Sequence, residues 1–183
     1  MKVQLRHLPN LITVLRFALV APLMGLLAGG HYAAALSLFA VMGASDAVDG
    51  FLAKRFHWES RLGQFLDPLS DKTMLVCTYL TLGWLGLLPA WLVAAVILRD
   101  LVIVAGALAY HFVTHRLEMR PTWISKINTV AQIMLAVAVI ADQFLVMTDL
   151  IADALMFIVF ATTVASGLHY VLEWSRLARE ARP

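Results

Sequence analysis

Long apolar stretches, separated by short polar interruptions, fill almost the whole chain. Six of them are long enough to cross a bilayer, which takes about 20 apolar residues. The interruptions contain glycine, proline and charged residues, as turns do. The pattern predicts an all-α integral membrane protein with six transmembrane helices, forming a single membrane domain over residues 1–183. The six stretches cover residues 11–29, 33–53, 66–85, 90–112, 124–147 and 151–174.

The composition favours membrane insertion. Of the 183 residues, 61% are hydrophobic and 14% are charged, whereas soluble domains average about 45–50% and about 25%. Six spans nearly exhaust the chain, so any chemistry must lie in the helices or beside them. The net charge of +2 gives no reason to expect a nucleic-acid partner. A single cysteine, Cys77, excludes a disulfide framework and a Cys-type zinc site.

The distribution of lysine and arginine predicts the orientation. By the positive-inside rule, both termini and the second-to-third and fourth-to-fifth connections lie in the cytoplasm. The N-terminus is expected to begin a first span and not a cleaved signal, and the lack of an Arg- and Ser-rich transit segment favours a bacterial cytoplasmic membrane over the mitochondrial inner membrane. The cations on the predicted cytoplasmic side are Lys2, Arg6, Lys54, Arg55, Arg61, Arg116, Arg120, Lys126, Arg176, Arg179 and Arg182.

Four aspartates, Asp46, Asp49, Asp67 and Asp71, lie in or at the ends of the second and third predicted spans. A carboxylate at a span centre costs on the order of 2.5–3.5 kcal/mol, and mutual repulsion adds to this cost unless cations lie between the acids. Spacings of three and four residues put each pair on one face of its helix. Oxygen ligands without His or Cys suit Mg²⁺ or Mn²⁺, and two such ions would neutralise four carboxylates.

Small and basic residues accompany these acids. Gly50 is either a helix-packing contact or a place where a ligand approaches the backbone. Lys54, Arg55 and Arg61 form a basic cluster. The charge bias of cytoplasmic loops would account for it, and the same cations together with metal ions would also match the charge of a pyrophosphate ligand. A small cation transporter is the alternative from another class. It would explain the acids but not the basic cluster, and the acids lie on one consecutive helix pair instead of in inverted repeats.

The stretch from Asp46 to Asp71 resembles the signature of the CDP-alcohol phosphatidyltransferase family, Asp-x2-Asp-Gly-x2-Ala-Arg-x8-Gly-x3-Asp-x3-Asp. Every spacing fits. One position departs, because Lys54 stands where the family usually has arginine. The charge is kept, but the planar fork that binds two phosphate oxygens together is lost.

The resemblance implies a fold of six transmembrane helices, usually a homodimer, with a polar cavity open to the cytoplasm and CDP-diacylglycerol as donor. It implies a site for two divalent cations. Asp46, Asp49 and Asp67 would hold one ion; Asp46, Asp67 and Asp71 would hold the other, and Asp71 would also be the general base. For Asn10, a helix N-cap is an alternative. The implied contacts with the CDP-lipid are Asn10, Thr13, Gly50, Ala53, Lys54, Ser60 and Gly63.

Two further segments bear on the acceptor alcohol. Arg99 and Lys126 are candidates to bind an acceptor phosphate, although an arginine in a span can instead pair with an acid such as Asp100 or a signature aspartate. Phosphatidylglycerophosphate synthases typically have Arg-Glu and Gly-Lys-x-Lys-Thr here, whereas this chain has Arg-Asp and Ser-Lys-Ile-Asn-Thr. These variants resemble the CMP-forming cardiolipin synthases of eukaryotic type. Asn128 in place of the second lysine favours phosphatidylglycerol over dianionic glycerol 3-phosphate as acceptor, with a phosphatidylglycerophosphate synthase as the alternative.

Overall fold

Six α-helices make up the part of the chain that the structure describes. In this computed structural model the described residues are 8–56, 61–114, 122–145 and 149–180, and side chains are described over 12–46, 69–106, 122–145 and 150–173 and at Val48 and Arg55. The all-helical prediction is confirmed, and each predicted stretch corresponds to one helix. The helices are α1 (Leu8–Ala28), α2 (Tyr32–Phe56), α3 (Arg61–Trp84), α4 (Ala90–Thr114), α5 (Trp123–Asp142) and α6 (Asp149–Glu180).

The main differences from the sequence prediction are at helix ends. The predicted end of α5 at residue 147 is wrong, since the helix ends at Asp142. There the amides of Gln143 and Phe144 donate to carbonyls three residues back, at 3.3 and 3.1 Å, which tightens the last turn. Helix α6 continues past residue 174 to Glu180 because Leu, Ala, Arg and Glu favour helix without being apolar as a group.

Among the residues that the structure describes, two segments are long and apolar enough to cross a membrane, Trp123–Asp142 and Leu150–Glu173. Two further apolar segments, Ile12–Ala28 and Tyr32–Asp46, are shorter. Helix α6 exposes large apolar side chains between Leu150 and Leu172, including Phe157 at 72%. Such a surface is typical of a helix that meets lipid or a second protein.

The described helices group into two compact units. The first consists of Met1–Leu87 together with Ile140–Val146. Within it, α1 packs against both α2 and α3. Its centre consists of fully buried apolar side chains, which include Leu23, Leu27, Ala35, Met42, Tyr79 and Leu82.

The second unit consists of Leu88–Val139 and Met147–Pro183. Within it, α4 packs against α6. Beside apolar residues such as Leu92 and Leu135, this unit buries a set of polar side chains, which need hydrogen-bond partners to offset their lost hydration. The buried polar residues are Arg99, Asn128, Gln132, Thr163 and Ser166.

Helix α1 ends at a glycine in the left-handed conformation. Gly30 has φ of 74°, a backbone angle that residues other than glycine rarely adopt. The His31 amide donates to the Leu26 carbonyl at 2.9 Å, and the Gly30 amide donates to the Leu27 carbonyl at 3.1 Å. This pair of bonds is the Schellman motif, and Gly86, also at φ 74°, ends α3 in the same way.

Candidate active site

Arg16 on α1 brings together two of the four signature aspartates. Its side chain is 1% exposed. The Nη1 atom donates to Asp46 Oδ1 on α2 at 2.6 Å and to Asp71 Oδ1 on α3 at 2.7 Å. Both carboxylates are half-buried, with side chains 36% and 40% exposed. One guanidinium nitrogen therefore joins three helices of the first unit.

The packing of α1 explains why these groups meet. Thr13 and Arg16 lie three residues apart, on one face of the helix, and both are buried. A buried guanidinium requires a charge partner, and two neighbouring carboxylates repel each other unless a cation lies between them. Arg16 meets both requirements at once.

Most signature residues lie on described helices, but their side chains are outside the described set. Asn10 is the third residue of α1, so it does not occupy the N-cap position; its side chain is outside the described residues, and all of Ser60 is outside them. Among the side chains that the structure does describe, no group of three or more His, Cys, Asp or Glu is placed to hold a metal ion. The other signature residues lie on α2 and α3 with side chains outside the described set: Asp49, Gly50, Ala53, Lys54, Gly63 and Asp67.

Arg99 on α4 is the centre of a polar cluster in the second unit. It is 4% exposed. Its Nη1 donates to the carboxylate of Asp100 at 2.6 Å. Its Nη2 donates to Ser125 Oγ on α5 at 2.7 Å and to Ser166 Oγ on α6 at 2.6 Å. Of the partners expected for this arginine, the structure shows Asp100, and the two serines connect it to the neighbouring helices.

The start of α5 is held in place by hydrogen bonds beside this cluster. Thr122 is the N-cap, because its Oγ1 accepts from the Ser125 amide at 3.3 Å. The Thr122 amide in turn donates to the Tyr170 hydroxyl of α6 at 3.5 Å. The Tyr170 ring lies 6.0 Å from the guanidinium carbon of Arg99. These contacts fix the position of Ser125 relative to Arg99.

Lys126 and Asn128 lie in different environments one turn further on. Lys126 is exposed, and its Nζ lies 5.0 Å from the centre of the Trp123 ring. Asn128 is fully buried. Its Oδ1 accepts from the hydroxyls of Thr162 and Thr163 on α6, each at 2.9 Å. The structure therefore keeps a cation exposed at position 126 and a neutral amide buried at 128.

Sequence reasoning missed the role of Arg16. Arg16 was assigned no role from the sequence, although an arginine inside an apolar stretch is a functional candidate by default. Its spacing from Thr13 was a usable signal, because two polar residues on one face of an apolar helix indicate a polar contact. Thr163 and Ser166 show the same spacing on α6, but it does not identify Arg99 as the partner, since that contact joins residues 67 positions apart.

Comparison with known proteins identifies the family. Residues 6–167 match the CDP-alcohol phosphatidyltransferase family, and the chain belongs to it. The chloroplastic CDP-diacylglycerol--glycerol-3-phosphate 3-phosphatidyltransferase 1 of Oryza sativa subsp. japonica is 34% identical over 97% of this chain and 58% of its own length. The human cardiolipin synthase (CMP-forming) is 31% identical over 92% of this chain and 62% of its own length.

A bacterial relative matches over more of its own length. The CDP-diacylglycerol--glycerol-3-phosphate 3-phosphatidyltransferase of Shigella flexneri is 31% identical over 90% of this chain and 93% of its length. By contrast, the chain spans less than two thirds of the rice and human relatives. Proteins similar to this chain therefore include both cardiolipin synthases and glycerol-3-phosphate 3-phosphatidyltransferases.

Proposed function

We propose that the chain transfers the phosphatidyl group of CDP-diacylglycerol to a hydroxyl of phosphatidylglycerol, giving cardiolipin and CMP. The acceptor oxygen forms a bond to the phosphatidyl phosphorus, and the bond from that phosphorus to the CMP oxygen breaks. The hydroxyl proton passes to the carboxylate of Asp71. The observation that carries this proposal is the family match together with the contact of both Asp46 and Asp71 with the Arg16 guanidinium. Family membership also favours this enzyme over a cation transporter.

The donor set fits divalent cations. Oxygens of Asp46 and Asp71 each lie within 2.7 Å of one positively charged nitrogen, so they are placed to share a cation. Carboxylate oxygens are the ligands that Mg²⁺ and Mn²⁺ prefer. Asp46, Asp49, Asp67 and Asp71 would hold two ions, and these would stabilise negative charge on the phosphoryl group and on the leaving CMP.

Asp49→Ala is expected to raise the Mg²⁺ or Mn²⁺ concentration needed for half-maximal CMP release by on the order of tenfold or more, because one carboxylate ligand is lost. The measurement is a metal titration of CMP release at saturating lipid. The matched control is Asp153→Ala, which removes an exposed acid from α6 and should leave the titration as in the wild type. An unchanged titration for Asp49→Ala would remove this residue from the metal site.

The contacts in the second unit support an acceptor with a single negative charge. Asp100 offsets the charge of Arg99, and Asn128 is neutral and held by two threonines. Among the described residues at the start of α5, Lys126 is the exposed cation. We propose that Lys126 and Arg99 contact the acceptor phosphate. A single exposed positive charge suits a phosphodiester better than dianionic glycerol 3-phosphate.

The second candidate is a phosphatidylglycerophosphate synthase with glycerol 3-phosphate as acceptor. The rice and Shigella relatives bear that activity in their names and match this chain about as well as the human cardiolipin synthase does. Chemistry and donor would be unchanged, and only the acceptor would differ.

A paired turnover assay decides between the two acceptors. Purified protein receives CDP-diacylglycerol, Mg²⁺ or Mn²⁺, and either phosphatidylglycerol or glycerol 3-phosphate, and both CMP and the lipid product are followed. We expect cardiolipin from phosphatidylglycerol at a rate at least about tenfold above the other reaction, the effect of roughly 1.4 kcal/mol in transition-state binding. Phosphatidylglycerophosphate as the main product would overturn the acceptor and keep the chemistry. If no CMP is released with either acceptor, both the proposed acceptor and the proposed chemistry are overturned.

We further propose that all six helices span the membrane, with both termini and the site in the cytoplasm and two copies forming a homodimer. Two segments of sufficient length and apolarity and the exposed apolar surface of α6 support this arrangement. The bacterial cytoplasmic membrane is the proposed location. The bacterial relative that aligns over 93% of its length supports it.

A further inference from the structure

Arg16 occupies the place where the proposed function requires a metal ion. Its Nη1 donates to one oxygen of Asp46 and one of Asp71, at 2.6 and 2.7 Å. Those oxygens belong to two of the four carboxylates proposed to bind divalent cations. A guanidinium and a divalent cation that use the same oxygens compete for them, because the two positive charges repel and each oxygen has few lone pairs.

We propose that Arg16 is an internal competitor of the divalent cation at Asp46 and Asp71. The inference rests on the proposed metal site. Arg16 neutralises the two half-buried carboxylates in the metal-free protein, and it gives up at least part of this pairing when a metal ion binds. The residue is a positioning residue for the acids and not a catalytic residue.

The energetic consequence follows from linkage. A contact that stabilises only the metal-free state opposes metal binding by the same free energy. Arg16 therefore makes the metal-free protein more stable and its metal affinity lower. A purely structural arginine, which keeps both bonds in the two states, would stabilise both states equally and leave the metal affinity unchanged.

The test compares wild-type protein with Arg16→Gln in detergent, without any CDP-lipid. Binding of Mn²⁺ is followed through the electron paramagnetic resonance signal of the free ion, and the unfolding temperature is measured with and without Mn²⁺. We expect Arg16→Gln to bind Mn²⁺ more tightly, on the order of tenfold, a usual size for coupled sites. We also expect Arg16→Gln to unfold at a lower temperature than the wild type without metal. Its unfolding temperature should rise more on addition of Mn²⁺ than that of the wild type does.

Two variants serve as controls. Arg55→Gln removes the same charge from an exposed position of α2, so it reports how much of any change in Mn²⁺ affinity comes from net charge alone. Arg16→Lys keeps the charge between the acids and should bind Mn²⁺ much as the wild type does. An equal gain in affinity for Arg16→Gln and Arg55→Gln would overturn the competition.

The remaining outcomes separate this inference from the proposed function. Unchanged or weaker Mn²⁺ binding by Arg16→Gln, with normal binding by the wild type, overturns the competition and leaves the metal site in place. Failure of every protein to bind Mn²⁺ overturns the metal site and the competition together.

A second measurement does not depend on the folding of Arg16→Gln. In wild-type protein with ¹⁵N-labelled arginine, the Arg16 side-chain resonance is assigned by its loss in Arg16→Lys. We expect this resonance to shift on addition of Mg²⁺, because the guanidinium changes partners. A resonance that stays in place at saturating Mg²⁺ would overturn the proposal.

Discussion

Asp71→Asn is expected to lower the rate of CMP release by about 10²–10⁴-fold, the usual contribution of a general base. The amide cannot take up the acceptor's proton. It keeps the size of the side chain and an oxygen that accepts from Arg16 Nη1, as the Asp71 carboxylate does at 2.7 Å. The fold of the first unit should therefore survive the change. The measurement is the initial rate of CMP release at saturating CDP-diacylglycerol and acceptor.

A metal series separates the two roles proposed for Asp71. A rate that returns to the wild-type value at high Mn²⁺ would show that the residue serves only as a metal ligand, and the general-base role would be wrong. Asp153→Asn is the matched control, since it makes the same chemical change at an exposed position of α6. Wild-type turnover of Asp71→Asn at every Mn²⁺ concentration would contradict both roles.

Arg99→Met is expected to lower the free energy of unfolding by about 3–5 kcal/mol, the usual cost of removing one partner of a buried ion pair. The guanidinium is 4% exposed, so methionine can occupy much of its volume. Methionine cannot offset the charge of Asp100, whose side chain is 12% exposed, and it cannot donate to Ser125 or Ser166. Denaturant unfolding of the purified protein, followed by tryptophan fluorescence, measures the change.

A double-mutant cycle with Asp100→Asn tests the cause of this loss. The double variant should recover part of the stability that Arg99→Met loses, because it no longer contains a poorly compensated carboxylate. Additive losses from the two single variants would show that Arg99 stabilises the second unit through the serines instead. Unfolding of Arg99→Met at the wild-type denaturant concentration would contradict the structural importance of the whole cluster.

The helices of this chain were largely predictable from its sequence, and their ends were less so. Apolar stretches identify a helix reliably when they are long. They do not mark where the helix stops, because helix propensity and apolarity are different properties. The end of α6 shows this, since the segment up to Glu180 is polar and still helical. The tight turn after Asp142 likewise depends on hydrogen bonds that hydropathy does not report.

The candidate site was predictable where its spacing is local. Asp46 and Asp71 were expected on helix faces that could meet, and the structure brings them to one nitrogen. The identity of the cation between them was not predictable, because Arg16 lies on a third helix, 30 and 55 residues away. The same limit applied to Arg99. Its contact with Asp100 is local, whereas Ser166 meets it only through the packing of α4 on α6.

The ion pair between Arg16 and Asp46 sets a length requirement on the helical segments on either side of the turn at Gly30. Arg16 lies 14 residues before Gly30, and Asp46 lies 16 residues after it, so both are about 20 Å or more along their helices from the turn. One residue inserted into α2 between Tyr32 and Asp46 would move Asp46 by about 100° around the helix axis and turn it away from Arg16. Most surface loops accept insertions. The helical residues between the turn and this ion pair should not, since their number sets which face of α2 carries Asp46.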